Sequence, residues 1–240
     1  MKKKIYKMEQ VIVISGTRKG LGKQLAEFFL NEGAVVCGCS RGRASIAHDQ
    51  YRHFELDVAD EKAVMSMTRA IKKEFGKIDV LLNNAGIAAM NHLMTTPYEN
   101  ARTVFNTNFF GTFLFTREVS KLMMRQKSGR IVNYTTVATP LDLSGESVYA
   151  ASKAAIESFT RISAKELSDF GIRVNAIGPT PVETDLIRNI PKKKLDELLA
   201  QQAIGRFGTF EDVLNVIQFF IDDRSEFITG QIIYLGGVMK

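Results

Sequence analysis

The 240-residue chain has little cysteine and little histidine, two of the first and three of the second. Cys37 and Cys39 stand two apart on a predicted strand, a spacing that suits neither a zinc site nor a redox dithiol. They read as reduced packing residues. His48, His53 and His92 are scattered, and no metal site is expected from them. No apolar run is long enough to cross a bilayer. The basic opening, Met1 to Lys7, lacks the apolar segment of a secretory signal, so a cytoplasmic location is expected and a membrane partner is not. Internal repeats and low-complexity tracts are missing too. What is present, 45% apolar and 24% charged residues, fits one α/β domain with a substantial core. A formal net charge of +6 raises the question of nucleic acid. The lysines and arginines are dispersed, however, and no nucleic-acid-binding motif accompanies them. An anionic cofactor or substrate is the more economical reading.

Patterning along the chain alternates strand and helix. Residues 11–15 read as a buried strand, and residues 24–31 carry a helical apolar pattern that stops at Gly33. Between them the glycines fall as G-x-x-x-G-x-G at Gly16, Gly20 and Gly22. A strand, a glycine loop and a helix in succession set backbone N–H groups and a helix N-terminus against a phosphate. A turn with incidental glycines would read the same way. Further strands are expected at 34–39, 53–58, 78–82, 130–134, 172–177 and 231–235, and helices at 61–75, 103–125, 147–170, 195–202 and 211–221. Such alternation predicts a Rossmann-type α/β fold, a doubly wound, seven-stranded parallel sheet with helices on both faces, as a single domain over residues 1–240. The 103–125 helix is apolar nearly all round, which predicts a homodimer or homotetramer built on helix pairs, 103–125 and 147–170.

An acid at the end of the second strand usually holds a free ribose 2′-hydroxyl. Here that place reads Ser40, Arg41, Gly42, Arg43, with Arg18 and Lys19 facing it from the glycine loop. Cations without a carboxylate suit a 2′-phosphate, which favours NADP over NAD; loop charges of no particular role are the plainer alternative. Tyr149 and Lys153, four apart on a predicted helix, share one face. An ammonium one turn from a phenol would stabilise the phenolate and bring its proton into play near neutrality. The same spacing also arises by chance on exposed helices.

Taken in order, these landmarks resemble the short-chain dehydrogenase/reductase family over essentially the whole chain. Ser15 to Gly22 resembles its TGxxxGxG, Asp57 and Val58 its adenine-contacting pair, and Asn83 to Gly86 its NNAG. Asn108 stands where the family keeps a catalytic asparagine, and Tyr149 and Lys153 form its YxxxK. The tail, from Gln202 to Gly208 and on to Gln231, is most similar to the 3-oxoacyl-carrier-protein reductase branch. The resemblance implies NADPH-dependent reduction of a carbonyl to an alcohol, or the reverse. Tyr149 would be general acid or base, Thr136 would bind the substrate oxygen, Lys153 would hold the nicotinamide ribose, and Asn108 would anchor a water. Cofactor contacts would come from Gly16, Arg18, Lys19, Gly20, Leu21, Gly22, Ser40, Arg41, Asp57, Val58, Asn84, Ala85, Gly86, Tyr149, Lys153, Pro179, Val182 and Thr184. A short substrate lid would run from about 184 to 202.

Three positions depart from the family pattern. Thr136 replaces its serine, Thr180 the glycine after its proline, and Leu235 an aspartate common before the closing glycines. A 3-oxoacyl thioester, free or bound to a carrier protein, is the expected substrate. The polar loop of Asp142, Ser144, Glu146 and Ser147 leaves a sugar or polyol substrate open. Loss of activity through Thr136 and Thr180 would instead leave an NADP-binding scaffold.

Overall fold

Strands in the middle of the sheet are apolar on both faces, as parallel strands covered by helices must be. The computed structural model describes residues 10–88, 90–182 and 192–238, with the backbone alone at 192–194. Strands β1 (Val11–Ser15), β2 (Val35–Ser40), β3 (Tyr51–Glu55), β4 (Val80–Asn83), β5 (Gly129–Tyr134), β6 (Ile172–Gly178) and β7 (Ile232–Tyr234) form one sheet. Its order is β3-β2-β1-β4-β5-β6-β7, and every neighbouring pair is parallel. The chain winds outward through β2 and β3, then returns to lay β4 beside β1. At that reversal the C-terminal strand ends leave a crevice. This is the doubly wound architecture the alternation predicts.

Helices α1 (Gly20–Asn31), α2 (Glu61–Phe75), α3 (Tyr98–Phe105), α4 (Gly111–Gln126), α5 (Ala138–Leu141), α6 (Ser147–Leu167), α7 (Lys192–Leu199) and α8 (Phe210–Ile221) complete the described chain. Alternation along β1 supplies both cores at once. Ile12 and Ile14 pack with Leu25 and Phe29 of α1 and Ile217 and Phe220 of α8. Val11 and Val13 pack on the other side with Met67 and Ile71 of α2 and Phe115, Val119 and Met123 of α4. Phe29 is fully buried, and truncating it to alanine would cost about 3–5 kcal/mol. Cys37 and Cys39 are buried and free, and burial pushes both thiols up to about 12.

Element bounds differ from expectation where local chemistry overrides the apolar pattern. The third strand lies at Tyr51–Glu55 rather than 53–58. Its continuation is cut off because Asp57 turns the chain, its Oδ1 accepting from Ala59 N at 2.9 Å and its carbonyl from Asp60 N at 3.0 Å. The long helix expected from 103 begins instead at Tyr98, behind Pro97, and is interrupted by a π turn over Asn106–Phe110. Helix α5 was hidden by Pro140, which is tolerated because the first helical turn needs no N–H there. The helix expected over 195–202 runs over Lys192–Leu199. Phe109 of the π turn and Phe113 of α4 meet Phe159 of α6 edge to face, with centroids 6.0 and 6.1 Å apart. Phe110 beside them remains 47% exposed.

Candidate active site

β1 delivers the chain into a loop where Gly16 and Gly20 take φ of 79° and 59°. Side chains resist such values. A Cβ on Gly22 would lie 2.2 Å from the Gly16 carbonyl oxygen, so this helix start requires glycine. The stretch after β4 braces the loop. Asn84 Nδ2 donates to the carbonyls of Ser15 at 3.0 Å and Gly16 at 3.3 Å, and Ala85 N donates to Ser15 Oγ at 3.0 Å. The glycine loop and the Asn83–Gly86 stretch thus meet at the reversal between β1 and β4.

Helix α6 brings Tyr149 and Lys153 to the same region. Tyr149 is half-buried. Burial pushes its phenol up to about 12, a hydrogen bond with Thr136 works against that rise, and the Glu146 carboxylate adds to it. Thr136 is itself held in place, its Oγ1 accepting from Ala138 N at 3.2 Å. Lys153 is buried, and its Nζ donates to the Tyr134 carbonyl at 2.8 Å. Burial pushes its ammonium down to about 8. The expected acidification of the phenol by its cationic neighbour is therefore corrected. The ammonium is committed to a backbone carbonyl, and the charge acting on Tyr149 is the carboxylate of Glu146.

Asn108 is fully buried inside the π turn. Its Oδ1 accepts from Ile87 N at 2.8 Å, and its Nδ2 donates to Ile87 O and to Ser152 Oγ, both at 3.0 Å. Its side chain therefore locks the segment after Gly86 to α6, and Ser152 Oγ closes the contact by donating to Tyr149 O at 2.7 Å. The π turn fits this duty, because the extra residue aims one side chain inward without breaking the helix. Gly86 is the common neighbour: a Cβ there would stand 3.4 Å from Asn108 Oδ1 and 3.5 Å from Lys153 Nζ. Sequence reasoning missed Ser152 and the Tyr134 carbonyl. Neither carries a signal in a single sequence, since one is a serine in a helix and the other is backbone.

A family model described as enoyl-(acyl carrier protein) reductase matches residues 16–238. The chain is 31% identical over 236 residues to the 3-oxoacyl-(acyl-carrier-protein) reductase FabG of Escherichia coli, covering 96% of this chain and 97% of that one. The chain belongs to the short-chain dehydrogenase/reductase family. As a member it is an oxidoreductase. Among solved structures, the ligand-free aldohexose dehydrogenase of Thermoplasma acidophilum superposes with a TM-score of 0.87 at 28% identity, over 96% of this chain and 94% of that one. ElxO with NADP bound gives 0.87 at 31% identity, over 96% and 98%.

Among short-chain dehydrogenases/reductases the departures in this chain now have surroundings. Thr180 is buried, accepting from Gln202 Nε2 at 2.6 Å, and its methyl group faces Gly208, where a Cβ would come within 2.9 Å. The hydroxyl is thus turned into the protein. Pro179 O accepts from Val137 N at 3.3 Å, and Val182 is buried, bridged to Gly208. Leu235 packs against the α1–α8 core. Arg18, Lys19, Arg41 and Arg43 are exposed around the ends of β1 and β2, with Ser40 Oγ donating to Gly42 O at 2.8 Å. Leu21 packs on the core. Val58 is buried beneath Gly111, and Asp57 is exposed. Thr184 and the rest of the expected 184–202 lid up to residue 191 lie outside the described residues, and α7 and the turn up to Gln202 supply the remainder. A cleft of ≈ 840 Å³ near the start of α6 is lined by His92, Asp142, Ser144 and Ser147 among others.

Proposed function

We propose that the chain is an NADPH-dependent carbonyl reductase with Tyr149 as proton donor, acting on a 3-oxoacyl thioester. One observation carries this reading: Tyr149, bonded to Thr136, shares one end of the sheet with Lys153 and Asn108, which flank Gly86. The residues present fit a phosphorylated dinucleotide. Four exposed cations, Arg18, Lys19, Arg41 and Arg43, surround the β1 and β2 ends, and Gly86 leaves open a cradle that any side chain would fill. ElxO, a neighbour of similar length, is described with NADP bound, which supports the same cofactor here.

Gly16, Gly20, Leu21 and Gly22 would present the loop and helix start to the pyrophosphate. Arg18, Lys19, Ser40 and Arg41 would hold the 2′-phosphate. Asp57 and Val58 would border the adenine, and Asn84, Ala85 and Gly86 the adenosine ribose. Pro179, Val182 and Thr184 would border the nicotinamide. When bound, NADPH supplies a hydride to a carbonyl carbon. Thr136 Oγ1 would donate a hydrogen bond to the carbonyl oxygen as negative charge grows there. Tyr149 would then hand its proton to that oxygen. A phenol held up at about 12 is protonated throughout the physiological range, as a donor to an alkoxide must be. Lys153 would reach the nicotinamide ribose beside Gly86, and Asn108 keeps that segment in register.

FabG of Escherichia coli carries a name that specifies 3-oxoacyl groups on a carrier protein, which supports the thioester substrate. A hydroxylated substrate is a second reading, favoured by the polar lining of His92, Asp142, Ser144 and Ser147 and by the aldohexose dehydrogenase likeness. The exposed aromatic flank of α4 and α6 would be covered by a second copy of the chain, giving a homodimer or homotetramer. The test is NADPH consumption, followed by absorbance, with 3-oxoacyl thioesters, ketosugars and simple ketones. Turnover is expected with the thioesters. NADPH binding without turnover on any carbonyl would leave a scaffold and overturn the proposal.

A further inference from the structure

The β2–β3 edge carries a partly buried polar chain whose Tyr51 and His53 the proposed chemistry does not use. Thr17, in the glycine loop, is fully buried, and its Oγ1 lies 2.7 Å from the Tyr51 hydroxyl oxygen. That hydroxyl is 3.0 Å from His53 Nδ1, on the same face of β3 two residues on. His53 Nε2 in turn lies 2.9 Å from Gly42 O and 3.2 Å from Ser40 Oγ. One tautomer satisfies the whole chain: Nε2–H donates to Gly42 O, and Nδ1 accepts from the Tyr51 hydroxyl, which accepts from Thr17. The fold keeps the space for it. A Cβ on Gly38 would fall 2.4 Å from both Thr17 Oγ1 and the Tyr51 hydroxyl oxygen. The far end is also tied back, since Ser45 Oγ donates to Arg18 O at 2.7 Å and a Cβ on Gly42 would stand 2.7 Å from Arg18 Nη1.

We infer that Tyr51 and His53 are positioning residues for the 2′-phosphate of the cofactor, fixing the turn from Ser40 to Arg43 against Thr17 and Arg18 of the glycine loop. This rests on the proposed use of NADP. Neither side chain needs to touch the nucleotide. An exposed turn bearing Arg41 and Arg43 would otherwise lose conformational freedom at the moment of binding, which weakens the complex. The relay gives that turn one arrangement beforehand. NADH, with no 2′-phosphate, would gain nothing from it.

The experiment is titration calorimetry of the full chain with adenosine 2′,5′-bisphosphate, adenosine 5′-monophosphate, NADPH and NADH. The variants are Tyr51→Phe, His53→Ala, His53→Gln and, as a marker for direct contact, Arg41→Ala. Tyr51→Phe and His53→Ala are expected to weaken the bisphosphate and NADPH by about five- to tenfold while leaving the monophosphate and NADH within about twofold. His53→Gln, whose amide can still donate to Gly42 O, should restore most of that loss. If His53→Ala fails to fold, Tyr51→Phe still decides, because it removes one oxygen from an intact ring. Equal weakening of all four ligands, or none, overturns the inference and leaves the 2′-phosphate assignment standing. A wild-type chain that does not distinguish bisphosphate from monophosphate overturns that assignment, and the inference with it.

Discussion

Replacing Lys153 with methionine separates two accounts of its ammonium. In the folded chain burial holds that group down at about 8, from the ordinary lysine value of 10.5. At about 1.4 kcal/mol per tenfold change in proton affinity, the gap makes the buried charge a burden of roughly 3 kcal/mol below pH 8. The sign follows from proton counting. Between pH 8 and 10.5 the unfolded chain binds the proton that the folded chain has released, so this group's contribution to stability rises with pH. Lys153→Met removes that titration and also the donor to the Tyr134 carbonyl. Cys37, Cys39 and the buried tyrosines are common to both proteins, so their effects cancel in the difference. The assay is urea unfolding of both proteins at a series of pH values. Wild type is expected to gain about 2–3 kcal/mol on the variant between pH 7 and 10. A flat difference would mean that Lys153 keeps its ordinary proton affinity. Either a flat difference or one that falls with pH would refute the reasoning.

Thr136→Val should lower carbonyl reduction by about 10- to 100-fold and move the alkaline limb of the pH–rate profile for alcohol oxidation upward, because the Thr136 bond holds the Tyr149 phenol down. Thr136→Ser should leave both within about twofold in the same steady-state assays. Gln202→Ala strands the buried Thr180 hydroxyl and should cost about 1–3 kcal/mol in urea unfolding. Adding Thr180→Ala should cost less than the two single changes together, and strict additivity would show that the pair does not interact.

The sheet was legible in the sequence because its strands are apolar on both faces and the helix after the first of them stops at Gly33. The glycine loop was equally legible, since Gly16, Gly20 and Gly22 are required by backbone geometry. Harder to see were features that depend on what a side chain meets across the fold. Tyr51 and His53 lay at or outside the edge of the strand assigned to them, and only the register Val36↔Tyr51 and Gly38↔His53 puts them beneath the Ser40 to Arg43 turn. One such feature is the Thr180 hydroxyl, which meets Gln202 from 22 residues along the chain. The direction of the Tyr149 shift is hidden in the sequence for the same reason. Helical spacing says that Lys153 shares a face with Tyr149, but not that its ammonium is held by the carbonyl of Tyr134.

Parallel NADPH titration and turnover of wild type and Tyr149→Phe with a 3-oxoacyl thioester test the central claim most directly. Turnover should fall at least about 100-fold in the variant while NADPH affinity stays within about twofold. Undiminished turnover in the variant would contradict Tyr149 as proton donor.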